Sequence, residues 1–248
     1  MLIKGIYKIG LSGLIYPRDR LSNKYLKGTG VEVGAQSSPL HLSKRASVKY
    51  VDIVTREESI RKFPELNPKN LVNVDIVSDG FTLNGVPSGQ FDFLVANHVL
   101  EHSPDPIGTV VQWLRVIKPG GILFCSVPDI EYCFDKGRAV TSYQHLLGDF
   151  EANGSGASEV LAERNKDHYR EWLMISEPAI LNRAVIPSEQ FDKRMVEMAQ
   201  SREEIHFHTF TPRSMRELFE NLSGNILPGL QVLEMSAERN EIILIAKK

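Results

Sequence analysis

Histidines and carboxylates gather in two short stretches of this chain, Asn97-His98-Val99-Leu100-Glu101-His102 and Ile205-His206-Phe207-His208, with Asp129 between them. Histidine titrates near neutral pH, so His98, His102, His206 and His208 are each candidates to take a proton from a reacting group. Spacing alone does not choose among them. Glu101 and His102 also suit a plainer role, steadying the turn before a helix that starts near Asp105. If residues 205–208 are extended, His206 and His208 share a face, where they could equally be structural hydrogen-bonding residues. The pairs His98/His102 and His206/His208, with Glu101 or Asp129, offer nitrogen and oxygen ligands to a metal. Their proximity does not follow from the sequence, and the expectation is no metal.

A second set of residues suits a nucleoside-bearing ligand. A short apolar run leads into Glu32-Val33-Gly34-Ala35-Gln36-Ser37-Ser38-Pro39-Leu40. Gly34 lets the chain turn tightly and approach a ligand with no side chain in the way. Asp52 closes the next apolar run, eighteen residues on (52 − 34). An acidic residue at about that distance is placed to accept hydrogen bonds from ribose hydroxyls. Asp75 and Asp79 follow, the latter in an Asp79-Gly80 pair that is also a strong turn signal.

Seven short apolar, β-branched runs are the elements that must position these groups: residues 31–33, 48–54, 71–77, 91–96, 122–127, 230–235 and 241–246. Their continuous apolar character suits strands covered on both faces by helices. Asp105-Pro106 starts a helix whose Ile107, Val110, Val111, Leu114 and Ile117 recur at helical spacing, with Pro119-Gly120-Gly121 as its stop. Thr211-Pro212 starts another, with Met215, Leu218, Phe219 and Leu222 on one face. Only residues 237–240 separate the last two strands, too few for a crossover, so the final strand runs antiparallel. Ligands of such sheets bind beyond the carboxyl ends of the strands. Between residues 130 and 205 the strand pattern stops. This polar, helix-prone segment reads as an inserted lid within a single domain spanning 1–248, with residues 1–29 as a helical N-terminal extension.

Together these residues resemble the class I S-adenosylmethionine-dependent methyltransferases of the methyltransferase type 11 kind. The likeness is carried by Val31-Glu32-Val33-Gly34 with Asp52. It is carried more specifically by Phe91-Asp92-Phe93-Leu94-Val95-Ala96-Asn97-His98-Val99-Leu100-Glu101-His102, through Asp105-Pro106, to Leu114-Arg115-Val116-Ile117-Lys118-Pro119-Gly120-Gly121. The segment His206-Phe207-His208-Thr209-Phe210-Thr211-Pro212 is similar to the one before this family's last helix, so the likeness covers about residues 28–130 and 203–248. It implies a Rossmann-like α/β fold: a seven-stranded, mostly parallel sheet with an antiparallel last strand, helices on both faces and a helical insertion after the fifth strand. It also implies S-adenosylmethionine as cofactor. Glu32, Gly34, Ala35 and Gln36 would line its methionine end, Asp52 its ribose and Asp79 its adenine amino group, with Asp75 as rival. Asn97 and His98 would border the reacting methyl, and Glu101, Asp129, Asp135 and Arg138 would face the acceptor. The sequence departs from the family at Gln36, which stands where a second glycine is common. The turn at 32–40, Asp79-Gly80 and residues 205–208 are also similar to a bacterial subgroup linked to surface-polysaccharide and glycosyltransferase systems.

Composition narrows the acceptor. With 29 basic and 31 acidic residues the net charge is −2, which provides no electrostatic footprint for a nucleic-acid backbone. A small molecule or glycan is the expected acceptor and O-methylation the expected transfer. A cofactor- or partner-binding protein without turnover is the alternative, motivated by Gln36 and the unassigned base. The missing Gly-x-Gly-x-x-Gly and the terminal hairpin disfavour a nicotinamide oxidoreductase. Residues 1–15 carry Lys4 and Lys8 and fit neither signal peptide nor membrane span, so a cytoplasmic protein is expected, with its oligomeric state open. Asp135, Arg138, His145, His168 and Arg170 in the insertion read by default as surface ion-pairing residues. Trp113 reads as core and Trp172 as the better ligand candidate.

Overall fold

A computed structural model describes residues 17–154, 158–201, 203–238 and 240–248 of the chain. Its strands are β1 (Gly28–Val33), β2 (Ala46–Asp52), β3 (Ile76–Val77), β4 (Phe91–Asn97), β5 (Ile117–Pro128), β6 (Gln231–Glu238) and β7 (Glu241–Lys247). They form one sheet in the order β3-β2-β1-β4-β5-β7-β6. The first five pair in parallel, and β7 runs antiparallel to both β5 and β6. The expected seven-stranded, mostly parallel α/β architecture is therefore present. The order reverses between β1 and β4, and in such sheets the ligand crevice lies beyond the carboxyl ends at that reversal.

Around the sheet stand α1 (Pro17–Tyr25), α2 (Arg56–Lys62), α3 (Pro106–Val116), α4 (Tyr143–Gly154), α5 (Ser158–Glu171), α6 (Glu177–Leu181), α7 (Ser188–Ser201) and α8 (Pro212–Asn221). The Asp105 side chain caps α3 by accepting from Gly108 N–H at 2.8 Å, with Pro106 at the first turn. The helix stops at Val116, earlier than Pro119-Gly120-Gly121 suggests. Lys118 precedes a proline and so disfavours helical backbone, and residues 117–121 begin β5 instead. At α8, Thr211 and Ser214 form a reciprocal cap, and Met215, Leu218, Phe219 and Leu222 are fully buried.

Two further expectations shift in detail. The run 71–77 yields only two residues of strand, because the Asp75 carboxylate takes Tyr50 N–H at 2.8 Å. Asp75 N–H still donates to Tyr50 O at 2.9 Å, so the side chain takes over only the Tyr50 donor at the sheet edge. At the centre, β1 packs so closely on β4 that a Cβ on Gly30 would sit 2.1 Å from the Phe93 ring.

The core around the sheet includes Val31, Leu94, Val110, Trp113, Leu123, Phe219 and Leu244. Trp113 is fully buried and donates to the Gly80 carbonyl at 2.8 Å, a core residue as expected. The inserted helices reach this core through Leu146 and also gather Tyr169, Leu173, Met195, Met198, Ile205 and Phe207 into a small cluster of their own. No helix among the described residues is long and apolar enough to cross a membrane. The reading of residues 1–15 lies outside the described residues.

Candidate functional site

The loop after β1 keeps the glycine-type turn. Gly34 has φ +63° and donates to Val51 O at 2.9 Å, and Gln36 adopts φ +46°, a left-handed conformation that glycine takes without cost. Gln36 thus carries a side chain on a backbone shaped for the missing second glycine, at a strain of roughly 1–3 kcal/mol. Glu32 is buried at the end of β1, and its carboxylate accepts Leu40 N–H at 2.9 Å, closing the loop. Asp52, at the end of β2, accepts Ile53 N–H at 2.8 Å, and the Ile53 side chain beside it is 64% exposed. Asp75 is engaged at the sheet edge, whereas Asp79 accepts Phe81 and Thr82 N–H at 2.7 and 3.0 Å and shapes the turn after β3. Asn97 is buried at the end of β4 and accepts Ser126 Oγ–H at 2.9 Å. Its Nδ2 makes no hydrogen bond among the described residues. A buried donor without an acceptor is costly, so a ligand atom there would relieve it.

Beside Asn97 a chain of ionisable side chains runs from α1 to the insertion. Arg18 Nε donates to Glu241 at 2.8 Å, and Glu241 lies 3.1 Å from His98 Nε2. The other ring nitrogen of His98 is 3.4 Å from Glu101, which in turn lies 4.0 Å from His206 Nε2. His206 Nδ1 meets Asp135 Oδ2 at 2.6 Å. Asp135 also accepts from Ser176 at 2.6 Å and from Arg138 at 3.0 Å, and Arg138 continues to Glu171 at 2.9 Å.

Burial disfavours charge on His98, but the hydrogen bonds to Glu101 and Glu241 outweigh it and raise its pKa. Burial likewise opposes ionisation of Asp135. The hydrogen bond and charge of His206, with Arg138, prevail and hold that carboxyl well below the usual range. Glu241, opposed by burial but paired with His98 and Arg18, falls to about 2. Cys133, whose Sγ is 3.5 Å from Asp135, is no nucleophile, since burial pushes its thiol up to about 12.

These contacts sort the histidines. His98 faces carboxylates on both nitrogens, which favour its protonated form, with φ +54° at the strand end. His102 Nδ1 lies 2.9 Å from the Ile205 carbonyl. His206 is set by Asp135 on one nitrogen, and Phe134 and Trp172 flank it with ring centroids at 4.7 and 5.9 Å. His208 is fully buried and belongs to a separate group with His145, Asp149 and His168, so the two histidines of 205–208 enter adjacent clusters instead of sharing one. Asp129 caps the turn Ile130–Tyr132 by accepting Glu131 N–H at 3.1 Å. Arg138 donates to the carbonyls of His206 and Phe207 at 2.8 and 3.0 Å.

The surface ion-pair reading holds for Arg170 with Asp167 and is corrected for Asp135, Arg138 and His168, which are buried among the inserted helices. Sequence reasoning missed Arg18, Glu241, Phe134 and Asp149. Only Asp149 had a local signal, four residues after His145 and so on the same helical face.

A family model described as a methyltransferase domain matches residues 24–223. The chain belongs to this methyltransferase domain family. An uncharacterised methyltransferase of Schizosaccharomyces pombe is 31% identical over 74 residues, which span 30% of this chain and 27% of that protein. An S-adenosylmethionine-dependent methyltransferase from Aquifex aeolicus aligns over 92% of this chain and 86% of its own, at 10% identity and a TM-score of 0.46. A Rhodobacter sphaeroides protein described as a zinc-dependent alcohol dehydrogenase aligns over 93% and 88%, at 15% identity and a TM-score of 0.50. At such identity the likeness concerns the fold alone.

The residues of this methyltransferase domain fit the family's cofactor, S-adenosylmethionine. A bound cofactor would meet the Asp52 carboxylate at its ribose, exposed Ile53 at its adenine and the Gly34 turn at its amino-acid tail. The unsatisfied Asn97 donor at the end of β4 offers a further hydrogen bond to a ligand.

Proposed function

We propose that this methyltransferase domain transfers the methyl group of S-adenosylmethionine to a hydroxyl of a small molecule or glycan, as an O-methyltransferase. The observation that carries the hydroxyl acceptor is the Asp135–His206 pair at 2.6 Å, flanked by Phe134 and Trp172. When bound, the cofactor supplies an electrophilic methyl on a sulfonium. Methyl transfer is a direct displacement, so the protein mainly aligns the reactants, and a poor nucleophile such as a hydroxyl also needs a base. Asp135 accepts from His206 Nδ1 and so fixes the tautomer in which Nε2 takes the hydroxyl proton. Glu101 lies 4.0 Å from that nitrogen. The aromatic walls suit the apolar face of a sugar or other hydroxylated ring.

In this reading the chain acts in the cytoplasm as one domain spanning 1–248. Residues 130–205 form the lid that selects the acceptor, and Glu32, Gly34, Ala35, Gln36, Asp52, Asp79 and Asn97 hold the cofactor. A glycan acceptor agrees with the resemblance to the subgroup associated with surface polysaccharides.

Calorimetry with S-adenosylmethionine and S-adenosylhomocysteine tests the cofactor site. Both should bind the wild type, and Asp52→Ala should weaken them by about 10–100-fold, the worth of a hydrogen bond to a charged group. Absence of adenosyl binding to folded wild type would end the reading. Binding without methyl transfer across hydroxylated acceptors, sugars included, would favour a non-catalytic binding protein, the reading that the side chain at Gln36 supports.

A further inference from the structure

Four ligand-type side chains from three separate segments converge beneath the insertion. His145 and Asp149 stand one turn apart on α4, His168 lies on α5, and His208 comes from the extended segment before α8. His145 Nε2 is 3.1 Å from His168 Nε2 and 3.3 Å from Asp149 Oδ2. His208 Nε2 lies 3.8 Å from the same carboxylate oxygen, and one ligand atom from each of the four falls within 4.8 Å of all the others. A tetrahedral zinc ion with bonds of about 2.0–2.1 Å sets its ligand atoms roughly 3.3–3.4 Å apart. The three separations bracket that value.

Hydrogen bonding within the protein leaves this group incomplete. Asp149 and His208 are fully buried, yet Asp149 Oδ2 and both ring nitrogens of His208 make no hydrogen bond among the described residues. The other Asp149 oxygen is held by Arg164, which also donates to the His145 carbonyl at 2.9 Å. Arg164 therefore orients the carboxylate and leaves Oδ2 for another partner, the arrangement that outer-shell residues provide at metal centres. A histidine pair accounts for the 3.1 Å contact but not for the unsatisfied Asp149 Oδ2 and His208 nitrogens, whereas a single cation would engage all four side chains. The neighbouring Glu101, His102 and His206 group offers three ligand-type side chains where this one offers four. An entry path exists: a cavity of about 490 Å³ opens against His145 and His168.

We propose that His145, Asp149, His168 and His208 form a closed three-nitrogen, one-oxygen site for a divalent transition metal of the zinc type. With four protein ligands its role is structural. It pins α4 and α5 to the extended segment that carries His206 and His208. The proposal is independent of the acceptor and of turnover.

The test uses the full chain, stripped with a chelator and titrated with Zn²⁺ by calorimetry, then loaded with Co²⁺ for visible spectroscopy. One equivalent of Zn²⁺ should bind, raise the Tm and displace Co²⁺ that shows the intense d–d bands of a tetrahedral site. His208→Ala and Asp149→Ala should weaken binding by about 100-fold or more, beyond the loss typical of an outer-shell change. His145, whose side chain is 36% exposed, gives the variant least apt to misfold, and His145→Ala should abolish the tetrahedral spectrum. A stripped wild type that refolds on adding Zn²⁺ also supports the site. Folded wild type that takes up no stoichiometric Zn²⁺, or uptake unchanged in His145→Ala and His208→Ala, overturns it.

Discussion

At the scale of single residues, the environment of each histidine gives it a different capacity. A ring with carboxylates on both nitrogens, as at His98, is stabilised with both protons on and cannot accept another. His206 keeps one nitrogen for Asp135 and presents the other toward Glu101, which is the geometry of an oriented base. His206→Ala should lower kcat by about 10²–10⁴-fold with little change in cofactor affinity, measured with a hydroxylated acceptor. Asp135→Asn keeps the shape of the pair but removes the charge that sets the tautomer. It should lower kcat more than it raises KM and shift the pH–rate profile, a change that a purely structural carboxylate would not produce. A rate indifferent to both substitutions would remove the dyad from the mechanism. These residue types were legible as candidates, but their division of labour was not, since Asp135 and His206 are 71 positions apart and no local spacing joins them.

At the scale of elements, capping and packing were readable because they are local. Asp105-Pro106 and Thr211-Pro212 state their helix starts in adjacent residues, and the structure realises both. The stop of α3 was less legible: a proline acts on the residue before it, and the extended pairing of β5 with β4 extends back to Ile117. The insertion is held to the sheet by polar contacts that no periodicity reveals. Arg138, buried with Asp135 and bonded to two carbonyls and Glu171, is the central tie. Arg138→Ala leaves a buried carboxylate with one fewer cation and should cost about 3–5 kcal/mol, read as a lower denaturation midpoint in urea. A loss under 1 kcal/mol would mean that water replaces the guanidinium and the tie is weak.

At the scale of the whole molecule, the charge chain from Arg18 to Glu171 links α1, the sheet ends and the insertion, so its titration is a property of the fold. Glu241 and Asp135 both have folded pKa values below those of the unfolded chain, Glu241 at about 2. Their stabilisation is complete above the unfolded values of about 3.9 for aspartate and 4.3 for glutamate and is lost as pH falls through the folded values. Glu241 alone represents roughly 3 kcal/mol by this linkage. Urea denaturation should therefore show stability falling steeply from pH 5 to pH 2, and less steeply in Glu241→Gln. Parallel curves would show that the chain carries no linkage. The sequence by itself determined the class of sheet, its antiparallel close, the loop with Gly34 and Asp52, and the helical insertion after the fifth strand. Each is encoded by neighbouring residues whose period, turn chemistry or spacing acts over a few positions. Only the tertiary structure decided that β3 is nearly consumed by Asp75, that Gln36 keeps a glycine's backbone, and that His206 and His208 part into two clusters. Those outcomes depend on which distant groups share a buried volume, where an unpaired charge or donor is costly and a partner far along the chain determines what each side chain can do.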